Sequence, residues 1–235
     1  MEPQHRVVPH DEWVQARTVL LQREKEFTRA RDALSEQRRA LPWEAVTAPY
    51  AFEGAQGRKI FAELFDGRSQ LVVYHFMYAP EWEAGCKSCS FWADNFDRIV
   101  VHLNHRDVTM AAISRAPYAQ LAAYQRRMGW SFPWYSSGGG SFNFDFNVSF
   151  DAGAKQATYN YRTIELDGET DLPGISVFYK DADGAIYHTY SAFSRGIDLM
   201  NTAYNYLDLT PKGRDEADTP MSWLRRHDEY PSSSA

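Results

Sequence analysis

An α/β domain built on a partly parallel central sheet is predicted by three features of this sequence. The apolar run from Gln70 to Pro80 reads as a buried strand, and Trp92, Phe96, Ile99 and Leu103 then recur at helical spacing. A second short apolar run, Asp107–Ser114, comes at once after it. Strand, helix and strand in that order imply a right-handed crossover between parallel neighbours. A later hairpin, Leu172–Lys180 and Ala185–Ser191 around Asp181-Ala182-Asp183-Gly184, adds antiparallel strands and makes the sheet mixed.

Before this unit, Pro9 to about Arg39 reads as one long amphipathic helix. Asp11 is its expected cap, and Trp13, Ala16, Leu20, Phe27 and Leu34 recur along one side. Its alternately signed charges, Arg23 to Asp32, describe a solvated face. Residues 1–45 are therefore expected to form a helical arm that packs on its own domain or on a second subunit, which would make a homodimer.

The remainder, 46–235, reads as one domain. Arg58–Phe65 and Gln70–Ala79 are expected to pair as a hairpin around Asp66-Gly67. The helix after the second strand is expected over Ser90–Leu103. Pro117 stands where a first helical residue would, with Leu121, Tyr124 and Met128 continuing that helix to Gly129. Residues 130–171 read as a long insertion before the last hairpin, with a strand expected over Phe142–Phe150. The segment Gly196–Tyr206 reads as a closing helix, and the tail from about Asp208 reads as loop.

Composition narrows the partners. The 235 residues carry a net charge of −6, with no basic block interleaved with aromatics, so nucleic acid is not expected. No apolar stretch is long enough to cross a bilayer, and the N-terminus lacks the pattern of a secretory signal, so no membrane association is expected. A cytoplasmic location is expected, where paired cysteines are more often catalytic or metal-bound than structural.

The chain has two cysteines, and they form Cys86-Lys87-Ser88-Cys89 between the buried strand and the amphipathic helix. A Cys-x-x-Cys pair at a helix start is a setting for thiol–disulfide chemistry. The free amides and dipole of the helix favour the Cys86 thiolate, and the Lys87 ammonium adds to this if it turns toward the sulfur. Cys86 is the expected nucleophile and Cys89 the residue that releases the product. The bland reading is a buried, inert pair.

The strings Trp82–Trp92, around Cys86-Lys87-Ser88-Cys89, Met128–Ser137, around Trp130-Ser131-Phe132-Pro133-Trp134, and Leu207–Glu216, around Thr210-Pro211-Lys212-Gly213-Arg214, together resemble a bacterial thioredoxin-like family. It is labelled domain of unknown function 899, and its members are described as predicted dithiol–disulfide oxidoreductases. The resemblance covers nearly the whole chain. It implies a thioredoxin-like fold, a central mixed sheet flanked by helices, with the N-terminal helix and the insertion as additions. It also implies a disulfide- or thiol-containing protein or small molecule as partner, and no cofactor.

Against ordinary thioredoxins, Lys87-Ser88 replaces Gly-Pro between the cysteines, and His75 takes the place of the buried acid on the preceding strand. The resemblance makes Pro173 a candidate for the proline that is cis in thioredoxins and faces the disulfide; the alternative is an ordinary strand-starting proline. An alternative is copper held by Cys86, Cys89 and a histidine, His188 before His75, since two thiolates and an imidazole suit copper(I). A further alternative is a peroxiredoxin-like peroxidase. Glu83, however, stands where those enzymes place Thr or Ser, and its carboxylate would oppose a nearby thiolate. A module that keeps the fold without chemistry is the remaining alternative.

Overall fold

A computed structural model describes residues 5–216 and 219–231. Helix α1 spans His10–Arg39, and its cap is Pro9 rather than Asp11, which lies with Glu12 in the first turn where acidic groups suit the helix dipole. Short strands β1 (Glu44–Ala45), β2 (Ala51–Gly54) and β3 (Gly57–Ile60) come next. The hairpin here is β2–β3, not Arg58–Phe65 with Gln70–Ala79. Gly54-Ala55-Gln56-Gly57 makes the turn, with Gly57 at φ 89°. Phe61–Phe65 is a 3-10 turn whose Phe61, Leu64 and Phe65 are buried, and the Glu63 carboxylate accepts from the Ile60 amide at 2.7 Å.

Strand β4 (Gln70–His75) leads through a loop to α2 (Lys87–Phe96), a 3-10 turn, and α3 (Val100–Asn104). The expected helix over Ser90–Leu103 is thus broken near Asp97. That carboxylate accepts from the Ser131 and Phe132 amides, so it holds the distant segment around Ser131 and not its own helix. Strand β5 (Val108–Ser114) and helix α4 (Tyr118–Met128) come next, with Pro117 as the cap of α4 and Gly129 ending it at φ 67°.

The segment 130–171 contributes strand β6 (Trp134–Ser136), helix α5 (Phe142–Asp145) and the hairpin β7 (Gln156–Tyr159) and β8 (Arg162–Glu165). The strand expected over Phe142–Phe150 is not formed. Phe142 and Phe146 lie four apart, and their rings meet at 4.8 Å on one side of a helical turn. Strands β9 (Gly174–Lys180) and β10 (Ile186–Phe193) form the last hairpin. A 3-10 turn, Ser194–Met200, and helix α6 (Thr202–Leu207) divide the expected closing helix at Asn201, whose side chain accepts from the Tyr204 amide.

The main sheet has the strand order β1-β10-β9-β4-β5-β6-β2-β3. β4, β5 and β6 run parallel, while β9 runs antiparallel to β4 and β10 antiparallel to β9. Within it, β10-β9-β4-β5, with a helix after each of β4, β5 and β10, is the thioredoxin-like arrangement. β4 sits at its centre and buries both faces, the expected behaviour of an apolar run without alternation. Tyr74 points to the face covered by α2 and α4, with Met110, Ala112 and Ile175. Leu71 and Val73 point to the other face, with Ala111, Ile113 and Phe178, covered by the Phe61–Phe65 turn and Phe142. No helix among the described residues is long and apolar enough to cross a membrane.

Candidate active site

The site grows from the end of β4. Past His75 the chain leaves the sheet, and the Cys86 amide reaches back to the Met77 carbonyl at 3.1 Å, closing the loop at its base. Cys86 is the cap residue of α2, with φ −54° and ψ 131°, and the Ser90 amide donates to its carbonyl at 2.9 Å to start the helix. Immediately before it, Gly85 is buried. A Cβ there would stand 2.8 Å from the rings of both Phe76 and Tyr124, so the close approach requires glycine.

Both cysteines are free thiols, Cys86 half-buried and Cys89 buried at the first turn of α2. The Cys89 thiol donates to the Cys86 sulfur, and the Cys89 and Ser88 amides point at the same sulfur. Together, and against burial, they bring the Cys86 thiol down from 9.0 to about 6. Burial first, then the neighbouring Cys86 sulfur, push the Cys89 thiol well up. The Met77 amide donates to Cys89 Sγ at 3.4 Å. The two sulfurs are therefore unlike: one an accessible thiolate at neutral pH, the other a buried thiol.

A cavity of about 210 Å³ opens beside Cys89, bounded by Tyr74, Trp92, Tyr159, Pro173 and Met221. Tyr74 is 1% exposed, and burial and then Cys89 hold its hydroxyl well above its ordinary value. That hydroxyl has no well-aligned hydrogen-bond partner among the described residues. Tyr159, at the end of β7, donates from its hydroxyl to the Pro173 carbonyl at 2.6 Å and accepts from the Ser194 amide at 2.9 Å. Asp171 fixes the approach to Pro173. Its carboxylate takes both arms of Arg115, at 2.8 and 2.9 Å, and the Ser149 hydroxyl at 2.5 Å.

The loop is also held from far along the chain. Arg226 donates to the Gly85 carbonyl at 2.7 Å from Nη2 and 3.2 Å from Nε, and Nε also donates to the Tyr124 hydroxyl at 2.8 Å. That hydroxyl is hydrogen-bonded to Ser90, which donates back to the Cys86 carbonyl. One guanidinium thus joins the residue before Cys86, helix α4 and the first turn of α2.

Of the residues singled out in the sequence, the structure brings Cys86, Cys89 and Pro173 to one place. Every peptide bond among the described residues is trans, Leu172–Pro173 included. Lys87 is exposed beside Trp223 and Glu229, and the dominant influences on Cys86 come from Cys89 and Ser88 instead.

His75 lies on the opposite sheet face, between the Phe142 and Phe146 rings and bonded through Nε2 to Ser176 Oγ at 2.8 Å. Burial lowers it to about 3, so it is neutral and does not stand in for a buried acid near the thiols. Tyr74, one residue earlier, faces the thiols instead. His188 is on the same far face, against Phe146 and Phe178, with Nε2 bonded to Ser191 Oγ at 2.7 Å. The proposed copper ligands Cys86, Cys89 and His188 are therefore not brought together, because the sheet separates them. No group of three or more His, Cys, Asp or Glu among the described residues could hold a metal ion. Glu83 is exposed on the cysteine loop, and the Tyr78 hydroxyl donates to its carbonyl at 3.3 Å.

Sequence reasoning missed Tyr74, Tyr159 and Arg226. Tyr74 lies one residue from His75, but on a strand apolar on both faces the sequence does not say which of the two meets the thiols. The other two had no signal short of the fold.

A family model described as "Bacterial protein of unknown function (DUF899)" matches residues 2–230. The chain belongs to this family. No curated protein matches it. Among solved structures, it is similar to peroxidoxin BcpB from Mycobacterium tuberculosis at 15% identity, covering 69% of this chain and 94% of that one, with a TM-score of 0.46. Peroxiredoxin Q from Xanthomonas campestris matches at 12% identity over 73% of this chain and 99% of the other, with a TM-score of 0.47. The mitochondrial 2-Cys peroxiredoxin from Plasmodium falciparum matches at 10% identity over 76% and 97%, with a TM-score of 0.40.

Proposed function

We propose that this DUF899 protein is a dithiol–disulfide oxidoreductase that works through Cys86 and Cys89. The observation that carries the reading is the asymmetry of the pair: a half-buried thiolate at the cap of α2 and a buried thiol donating to it. The Cys86 thiolate attacks a substrate disulfide, forming a mixed disulfide and expelling one substrate thiolate. Cys89 then gives up its proton and attacks Cys86 Sγ, releasing the second substrate thiolate and leaving a Cys86–Cys89 disulfide. Two electrons pass to the substrate, and an external dithiol resets the protein. The cavity beside Cys89 and the Pro173 backbone are the surfaces against which a disulfide would lie.

Trapping tests this reading. With a glutathione-based disulfide as substrate, Cys89→Ser accumulates a mixed disulfide on Cys86, Cys86→Ser forms none, and the wild type passes on to the internal disulfide. If no internal disulfide forms at any glutathione ratio, or if Cys89→Ser turns over like the wild type, the reading fails.

A further inference from the structure

Helix α1 has 30 residues, about 45 Å at 1.5 Å per residue, and none of them is buried. Trp13, Leu20, Phe27 and Leu34 are 55%, 51%, 69% and 45% exposed. A solitary helix gains little from propensity alone, and most helical stability comes from packing an apolar face. The only ring contact that α1's far end makes with its own sheet among the described residues is Arg38 over Tyr190, at 5.7 Å.

The four large apolar residues recur every seventh position, the repeat that keeps one seam facing a partner helix in a left-handed supercoil. Taking them as the first seam position, the second falls on Ala16, Arg23, Ala30 and Gln37. The seam therefore alternates large and small: Trp13, Ala16, Leu20, Arg23, Phe27, Ala30, Leu34, Gln37.

Orientation is decided by the residues that meet in each layer. In a parallel pair every residue meets its own copy: Arg23 would face Arg23, Ala16 would face Ala16 and leave a gap, and Trp13 would crowd Trp13. In an antiparallel pair the first and second seam positions meet. Leu20 then meets Ala30, Leu34 meets Ala16, and Arg23 meets the face of Phe27, a cation over a ring. Each layer joins a large side chain to a small or long polar one, so layers fill evenly and no like charges meet within the seam. The pairing is self-complementary about a two-fold axis, the form an isologous dimer requires.

We propose that two copies of this chain associate through α1 as an antiparallel two-helix coiled coil. The seam occupies one side of the arm.

Sedimentation of the full chain gives twice the chain mass at micromolar concentration, and Leu20→Glu with Phe27→Glu halves it. Iodoacetamide reactivity of Cys86 is unchanged in that variant, which shows the domain intact. Orientation is read in a Cys86→Ser, Cys89→Ser background. Leu20→Cys with Ala30→Cys oxidises to a covalent dimer, while Leu20→Cys alone does not, because only an antiparallel seam puts positions 20 and 30 within disulfide reach. A monomeric full chain, a dimer that survives Leu20→Glu with Phe27→Glu, or cross-linking by Leu20→Cys alone each overturns the proposal.

Discussion

At the scale of single residues, the difference between the two thiols has a direct kinetic consequence. Alkylation needs a thiolate, so the iodoacetamide rate of the reduced protein should rise with an inflection near pH 6, where Cys86 titrates, rather than near 9.0. Cys86→Ser should abolish that inflection, leaving Cys89 slow because it is buried and held protonated. Gly85 makes the second case. Its replacement by alanine forces a methyl group into the Phe76 and Tyr124 rings. Overpacking of this kind costs about 1–3 kcal/mol, so Gly85→Ala should lower the denaturant midpoint by a corresponding amount. An unchanged midpoint would mean that the rings move freely aside.

Elements explain which parts of the site could be read in advance. The cysteines were visible because strand end, motif and helix start lie within twenty residues and each leaves a local pattern. The face assignment was not visible: β4 is apolar on both sides, so nothing in Val73-Tyr74-His75 says which of the last two meets the thiols. The Asp66-Gly67 turn misled because the spacing of Phe61, Leu64 and Phe65 suits a turn of helix as well as a strand. Arg226 had no signal, being 141 residues from the carbonyl it binds. Its removal should act on the loop more than on the fold. Arg226→Met leaves the Gly85 carbonyl without its guanidinium, at a cost of about 1–3 kcal/mol for the unpaired buried group. Amide exchange of Met77 and Cys86 should quicken by a larger factor than that of β4 and β5. Uniform acceleration through the sheet would instead make Arg226 a general stabiliser.

For the whole molecule, the thiols couple pH to stability. Cys86 in the folded protein titrates near 6 and, at its ordinary value, near 9.0, so between these limits the unfolded chain binds more protons. Stability of the reduced protein should therefore increase as pH rises from about 6 toward 9.0, and this contribution disappears as pH falls through 6. Cys89 acts in the opposite sense above 9.0, since its folded value is raised and unfolding then releases its proton. The two thiols should therefore contribute most to stability on the alkaline side of neutrality. Denaturant midpoints collected across this range, with Cys86→Ser as reference, check the claim; parallel profiles for both proteins would contradict it. The sheet order itself was largely legible, because β4, β5, β9 and β10 are strongly apolar. The short strands β1, β2 and β6 were not, because two to four residues are too few to show a period.

The guanidinium that spans Gly85, Tyr124 and Ser90 also sets an order in time. A ribosome makes β4, α2, β5 and α4 long before it reaches Arg226, so the sheet and the cysteine helix can assemble while this last fastening is still unsynthesised. The nascent protein should therefore pass through an interval in which the loop before Cys86 is unlatched. Completion of the cysteine loop is thus tied to the translation of a distant codon, and a chain cut short upstream of it should carry Cys86 on a loop without its fastening.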